Sequence, residues 1–152
     1  MPAHVIRPRP ATPDDLSAIR ALLHANHLPD AELDQHLDNF VVADADGRVV
    51  GCGGLKAYPE PSAGLVRSIA VDEGWRGHAL GTRLTDWVLE RAMSLALTQL
   101  LLFTVNARDF YLRFGFEDAS LDDFPEAARH SAQYRAVHRY GREWGVIAMR
   151  RG

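Results

Sequence analysis

Cysteine and lysine are almost missing from this chain: Cys52 is the single cysteine, and Lys56 is the single lysine among 17 basic residues. One cysteine excludes an internal disulfide and leaves no thiolate cluster for a metal. Long apolar runs are missing as well. No stretch approaches the roughly 20 apolar residues of a membrane span, and the opening residues MPAHVIRPRP lack the apolar core of a signal peptide. These absences predict a cytoplasmic protein with no membrane partner. A surplus of positive charge is absent too, since the formal net charge is −3, and that argues against a nucleic-acid partner. His24 and His27 share a helix face, but no nearby acid or cysteine completes a site, so no metal is expected. Repeats, linkers and low-complexity segments are absent, and residues 1–152 read as a single domain large enough for a core.

What is present is an alternation of strands and helices. A short strand is expected over residues 4–9, followed by a helix with Thr12 as N-cap, Pro13 at its first position and Asp14 and Asp15 in its first turn. Leu16, Ile19, Leu22 and Leu23 line one face of it. Asp30 is read as the cap of a second helix reaching about Asp38. Strands over residues 40–43 and 48–58 are joined by Asp46-Gly47, the signal of a tight hairpin. Residues 59–64 break the chain. Further on, residues 99–105 read as a buried strand, 107–114 as a short helix and 116–120 as a sheet edge. A helix is expected from Pro125 to Val137, and a last strand over 145–150. The sum is a mixed α/β sheet.

The most informative segment is residues 65–97, LVRSIAVDEGWRGHALGTRLTDWVLERAMSLAL. A β-branched strand leads through a tight turn into a helix on which Leu80, Leu84, Val88, Ala92 and Leu95 recur at helical spacing. The first turn of a helix leaves its N–H groups without intrahelical acceptors at the positive end of the dipole, where a phosphate can dock. The alternative is a strand-to-helix turn with no ligand. Within the strand, alternation places Leu65, Arg67 and Ile69 on one face. A guanidinium among apolar neighbours needs an anion. That anion is either a substrate carboxylate, which arginine binds bidentately, or an acid of the 30–38 segment in a structural salt bridge. Cys52, between Val50 and Gly53, reads as a small buried residue rather than a nucleophile.

Residues 76–81 resemble the acetyl-CoA-binding motif of the GNAT superfamily of N-acetyltransferases, with Arg76, Ala79 and Gly81 at the motif positions. The resemblance implies that the backbone of Arg76, Gly77, His78, Ala79, Leu80, Gly81 and Thr82 cradles the pyrophosphate, and that Ser68, Ile69, Ala70 and Val71 bond to the pantetheine arm. The order of elements is similar to the GNAT fold over nearly the whole chain, which implies an α/β (α+β) architecture with a mixed, mostly antiparallel central sheet flanked by helices. Tyr111, with Gly115 and Phe116 after it, is similar to the family signature in which a tyrosine sits beside the CoA sulfur. It is read as the general acid for the leaving thiolate, the alternative being an aromatic of the helix's core face. Asn106 lies five residues before Tyr111, where the common family spacing is seven, so no role carries over to it. The strand over residues 65–71 has no acid, and Asp72 and Glu73 read as turn charges. No base is therefore assigned.

A finer resemblance, through Val50-Gly51-Cys52-Gly53-Gly54-Leu55, the Arg67 strand and Phe124-Pro125-Glu126, points to a branch of the family. That branch contains the acetyltransferase domain of N-acetylglutamate synthases and small N-acetyltransferases associated with arsenic-resistance operons. It implies acetyl-CoA as co-substrate, no metal, and direct transfer in a ternary complex to the amine of a small carboxylate-bearing acceptor held by Arg67. Family members often dimerise. Residues 136–144, with His138, Tyr140 and Trp144, depart from the branch. The competing reading is a non-catalytic acyl-CoA-binding or regulatory module.

Overall fold

The computed structural model describes residues 6–58, 60 and 62–152. Its strands are β1 (Arg7–Pro10), β2 (Phe40–Ala45), β3 (Arg48–Tyr58), β4 (Ala63–Val71), β5 (Gln99–Thr104), β6 (Glu117–Asp118) and β7 (Ile147–Arg151). They form a seven-stranded sheet in the order β1-β2-β3-β4-β5-β7-β6. The β4–β5 pair is parallel, while β1–β2, β2–β3, β5–β7 and β6–β7 are antiparallel. The helices are α1 (Leu16–Ala25), α2 (Leu33–His36), α3 (Leu80–Ser94), α4 (Arg108–Leu112), α5 (Glu126–Arg129) and α6 (Ala132–Trp144). This is the mixed, mostly antiparallel architecture that the sequence implies. Among the described residues no helix is long and apolar enough to cross a membrane. The expected first strand is found as β1, with residues 4 and 5 outside the described residues, as are the first five of the segment read for a signal peptide.

The chain divides into two compact units, Met1–Lys56 with Val66–Ser94, and Ala57–Leu65 with Leu95–Gly152. In the first unit, Asp46 and Gly47 turn the β2–β3 hairpin with φ of 53° and 90°, the paired left-handed residues of a two-residue hairpin loop. Residues Pro13–Asp15 form a 3-10 turn ahead of α1. The Asp15 carboxylate accepts the Thr12 N–H at 2.7 Å and both ends of the Arg9 guanidinium at 2.8 and 2.9 Å. Arg9 holds that carboxyl below the usual range. Ile19, Leu22 and Leu23 of α1 pack with Leu33, Phe40, Val42, Cys52 and Ala70 in one core cluster, where each large aliphatic side chain contributes roughly 1.5–3 kcal/mol.

The helix expected from Asp30 is different. Asp30 is held by His24 at 2.9 Å and Arg20 at 3.3 Å, so its carboxylate is spent on α1 and cannot cap the next helix. Glu32 takes the N-cap position instead, at a left-handed φ of 63°. The helix makes one turn and continues as a 3-10 turn over Leu37–Asn39. Helix α3 packs close to β3 because Gly53 carries no side chain. A Cβ there would lie 2.6 Å from Ile69 Cδ1 and 3.4 Å from Val88 Cγ2. The helix stops at Ser94, so Leu95 falls outside it and is 37% exposed.

In the second unit, residues 63–65 of β4 pair with 99–101 of β5. Strand β4 thus starts inside the stretch read as a break. Tyr58, Ala63, Leu65, Leu101, Phe124, Ala128 and Tyr134 form this unit's core, with the Phe103 and Phe124 rings stacked at 4.9 Å. The single helix expected over residues 125–137 is two helices. Ser131 interrupts it and restarts it, its hydroxyl accepting the Tyr134 N–H at 3.0 Å as an N-cap. Helix α6 then runs on to Trp144 and ends at Gly145, at φ 69°.

Candidate active site

In the first unit, β4 contains a residue that a regular strand would not hold: Ser68 sits at φ 63°. A non-glycine residue in the left-handed region costs on the order of 1 kcal/mol or more and collects at functional sites. Before Ser68, Leu65, Val66 and Arg67 are all buried in succession, as in a strand covered on both faces. After β4, Asp72 builds the turn. Its carboxylate accepts the Gly74 N–H at 3.0 Å and Arg48 at 2.9 Å, fixing a 3-10 turn over Glu73–Trp75. Asp72 is a turn residue.

Residues 76–79 are exposed. Gly77 and Ala79 have φ of 84° and 58°, and alternation of this kind turns successive amides toward one side as an anion-binding concavity. The Arg76 guanidinium donates to Asn26 Oδ1 at 2.7 Å, tying the loop to the end of α1. The Arg83 N–H donates to the Ala79 carbonyl at 3.1 Å, so the amides just before it have no intrahelical acceptor. Leu80 is buried under the helix start, while Gly81 and Thr82 are partly exposed. His78 is exposed, with its ring 6.4 Å from that of Trp75. What the arrangement offers chemically is a row of outward N–H groups at the positive end of a 15-residue helix.

Arg67 is 7% exposed. Its Nη1 donates to the Ala31 carbonyl at 2.7 Å, its Nε to Ser68 Oγ at 3.0 Å and its Nη2 to the Pro29 carbonyl at 3.5 Å. The guanidinium also lies 6.0 Å from the centre of the Phe40 ring, which fills the space over Gly54 that a Cβ there would need. Next to Ala31 in the chain, Glu32 accepts Lys56 Nζ at 2.8 Å and lies 4.0 Å from His36 Nε2. The hydrogen bond from Lys56, with further pull from His36 and Arg67, holds the Glu32 carboxyl below its usual range. Burial, then the charges of Lys56 and Arg67, holds the His36 imidazole below its usual range against the pull of Glu32 and Asp34.

The structure thus gathers Glu32, His36 and Lys56 with Arg67, three residues that sequence reasoning did not assign. Lys56 carried a signal, as the single lysine and in an apolar strand, and Glu32 is one of the acids of the 30–38 segment that the sequence offered as partners of Arg67. Cys52 is buried, its thiol donating to the Ser68 carbonyl at 3.2 Å, and burial pushes it up to about 12. That is no nucleophile.

In the second unit, Tyr111 lies on α4, 8% exposed, with its ring edge-on to Phe110 at 5.1 Å and to Phe116 at 5.9 Å. The helix is started by Thr104 Oγ, which accepts the Ala107 N–H at 3.1 Å. Burial pushes the Tyr111 phenol up to about 12, so it remains a protonated donor throughout the neutral range. Asn106 is exposed.

Residues 36–118 match the family model described as the acetyltransferase (GNAT) domain. Over 97 residues the chain is 33% identical to an amino-acid acetyltransferase of Ralstonia nicotianae and 28% identical to one of Neisseria meningitidis. Each alignment covers 64% of this chain, and the chain spans 22% of the length of either relative. Among solved structures, it is similar in fold to N-acetylglutamate synthase from Neisseria gonorrhoeae, complexed with coenzyme A and N-acetyl-glutamate, at a TM-score of 0.79 and 24% identity. That match covers 99% of this chain and 35% of the other. It is also similar in fold to Rv2747 from Mycobacterium tuberculosis in complex with CoA and NLQ, at a TM-score of 0.78 and 23% identity, over 95% of this chain and 98% of that one.

Proposed function

This chain belongs to the GNAT acetyltransferase family, and from that premise we propose that it moves an acetyl group from acetyl-CoA to the amine of a small acceptor that carries a carboxylate. The observation that carries the reading is the exposed turn over residues 76–79, opening into α3 with its amides free of intrahelical acceptors. Gly77, His78, Ala79, Leu80, Gly81 and Thr82 hold the pyrophosphate through their backbone, as Arg76 steadies the loop from Asn26. The backbone of Ser68, Ile69, Ala70 and Val71 carries the pantetheine arm. The names of the matched relatives, amino-acid acetyltransferases, support an amino-acid acceptor. So do the ligands named for the solved neighbours.

Chemically, the acceptor nitrogen attacks the thioester carbonyl carbon, an N–C bond forms, and the C–S bond breaks to release the CoA thiolate. Tyr111 supplies the proton or hydrogen bond that this leaving group needs. The acceptor ammonium loses its proton to water, and no residue is assigned as base. Arg67 receives the acceptor carboxylate. The whole of residues 1–152 works as one GNAT domain in this reading, in the cytoplasm and without metal, membrane or nucleic acid.

The competing module reading makes a different prediction for the same assay. Thiol release from acetyl-CoA is followed with a panel of amino acids, each paired with its carboxamide. The enzyme reading expects release that depends on the acceptor and falls sharply when its carboxylate becomes an amide. Tight acetyl-CoA binding with no acceptor-dependent release would establish the non-catalytic module instead.

A further inference from the structure

Arginine gathers at one place that the acetyl-transfer reading leaves unused. Residues 126–144 hold four arginines, Arg129, Arg135, Arg139 and Arg142, against two acids, Glu126 and Glu143, in a chain whose formal net charge is −3. Ser131 shapes the surface here, because it separates α5 from α6 and lets residues of both helices face one opening. That opening is a groove of about 670 Å³ lined by Arg129, Tyr134, Arg135, His138 and Arg139, a size that suits a small molecule. Its floor is fixed. Tyr134 is buried against the Phe124 ring at 5.6 Å and stacks on the His138 ring at 6.1 Å and 23°. On one side, Arg129 donates from Nε to the Phe124 carbonyl at 2.9 Å and from Nη2 to the Asp122 carbonyl at 3.0 Å, which holds the guanidinium in place without neutralising it. On the other, Arg135 and Arg139 stand one helical turn apart and exposed, with the Arg139 guanidinium 5.3 Å from the centre of the Tyr140 ring. Among the described residues, none of these three arginines is paired with an acid. Like charges at i and i+4 weaken a helix, and no carboxylate offsets them here. A bound anion would.

We propose that this groove is a second binding site, for a small molecule that carries a phosphate ester or a diphosphate. It is built from none of the residues assigned to acetyl-CoA, to the acceptor or to the leaving thiolate, and it does not depend on the acetyl-transfer reading. The choice of ligand follows from the donors. A carboxylate has two oxygens and is satisfied by one guanidinium fork. A phosphate group offers three acceptor oxygens and more charge, which several planar forks converging on one groove can share.

The test titrates inorganic pyrophosphate into the full chain by calorimetry with coenzyme A already saturating, so that the amides of residues 77–82 do not compete for the probe. One pyrophosphate per chain should bind. Arg135→Gln and Arg139→Gln, at exposed positions that leave the core alone, should each weaken it about 10-fold, the loss of one charge-assisted hydrogen bond. Arg142→Gln makes the same charge change on the same helix outside the lining residues. It should alter binding by less than about 2-fold at roughly 0.15 M salt, where distant charges are screened. Equal losses in all three variants would reveal diffuse attraction to a basic surface and overturn the proposal. So would the absence of pyrophosphate binding once coenzyme A is saturating, which would return the anion to the turn before α3. Thiol release from acetyl-CoA should be the same in Arg135→Gln, Arg139→Gln and the wild type. A selective loss of that release in either variant would make the groove part of the transfer site and overturn its standing as a second one.

Discussion

The turn over residues 76–82 and the group around Arg67 belong to the same compact unit and are made from different materials. The turn is local and consists of backbone: two left-handed residues, Gly77 and Ala79, and the first amides of α3. The group around Arg67 is long-range and consists of side chains, with partners 24 and 36 residues apart in the chain. A ligand common to many proteins suits the first kind of construction, because a pyrophosphate asks only for N–H groups at a helix start. A particular acceptor asks for charges at particular places, and those come from side chains brought together by the fold. The comparison predicts that cofactor and acceptor binding can be damaged one at a time.

The largest effect should come from a residue assigned to neither. Tyr111→Phe removes the proposed donor to the thiolate, so kcat should fall about 100-fold, at the low end for a lost general acid, with acetyl-CoA affinity and acceptor KM retained. Equal losses in kcat and in acetyl-CoA binding would make Tyr111 a packing residue. With the phenol pushed up to about 12, wild-type turnover should also show no loss from this group as pH rises from 7 to 10.

Next comes Arg67→Ala, which should raise the acceptor KM roughly 10- to 100-fold, the range of a lost charge-assisted hydrogen bond, while acetyl-CoA titrations stay as in the wild type. Gly77→Val attacks the other side of the comparison. A β-branched residue at φ 84° costs about 1–2 kcal/mol, and acetyl-CoA affinity should weaken about 10-fold with acceptor binding unchanged. If both substitutions weaken both ligands alike, the separation drawn here is wrong.

The smallest functional effect is expected at Asp15, which serves the fold only. Asp15→Asn should leave turnover intact and lower stability by on the order of 1 kcal/mol. Since Arg9 depresses the Asp15 carboxyl, its contribution is complete above the ordinary value of 3.8 and is lost as pH falls below it. Denaturation curves of variant and wild type should therefore converge in acid.

Legibility in the sequence follows the same division. The β2–β3 hairpin, the Arg76 loop and α3 were readable because Asp46-Gly47, the motif positions Arg76, Ala79 and Gly81, and the helical recurrence of Leu80, Leu84 and Val88 are all local signals. The second helix was misread at Asp30, since nothing nearby in the chain announces that His24 and Arg20 hold that carboxylate. The break at Ser131 was missed because one capping serine inside a helical pattern looks like a surface residue. Arg67 stood out as a charge in an apolar strand. Its surroundings did not, because Glu32 and His36 meet Lys56 only through the left-handed turn at Glu32.

The central claim is that acetyl-CoA is held by the backbone of residues 77–82, and amide hydrogen exchange measures that directly. Saturating coenzyme A should slow exchange at Gly77, His78, Ala79, Leu80, Gly81 and Thr82. Acceptor added alone should not. Coenzyme A binding with exchange unchanged over these residues, or protection confined to other parts of the chain, would contradict the account.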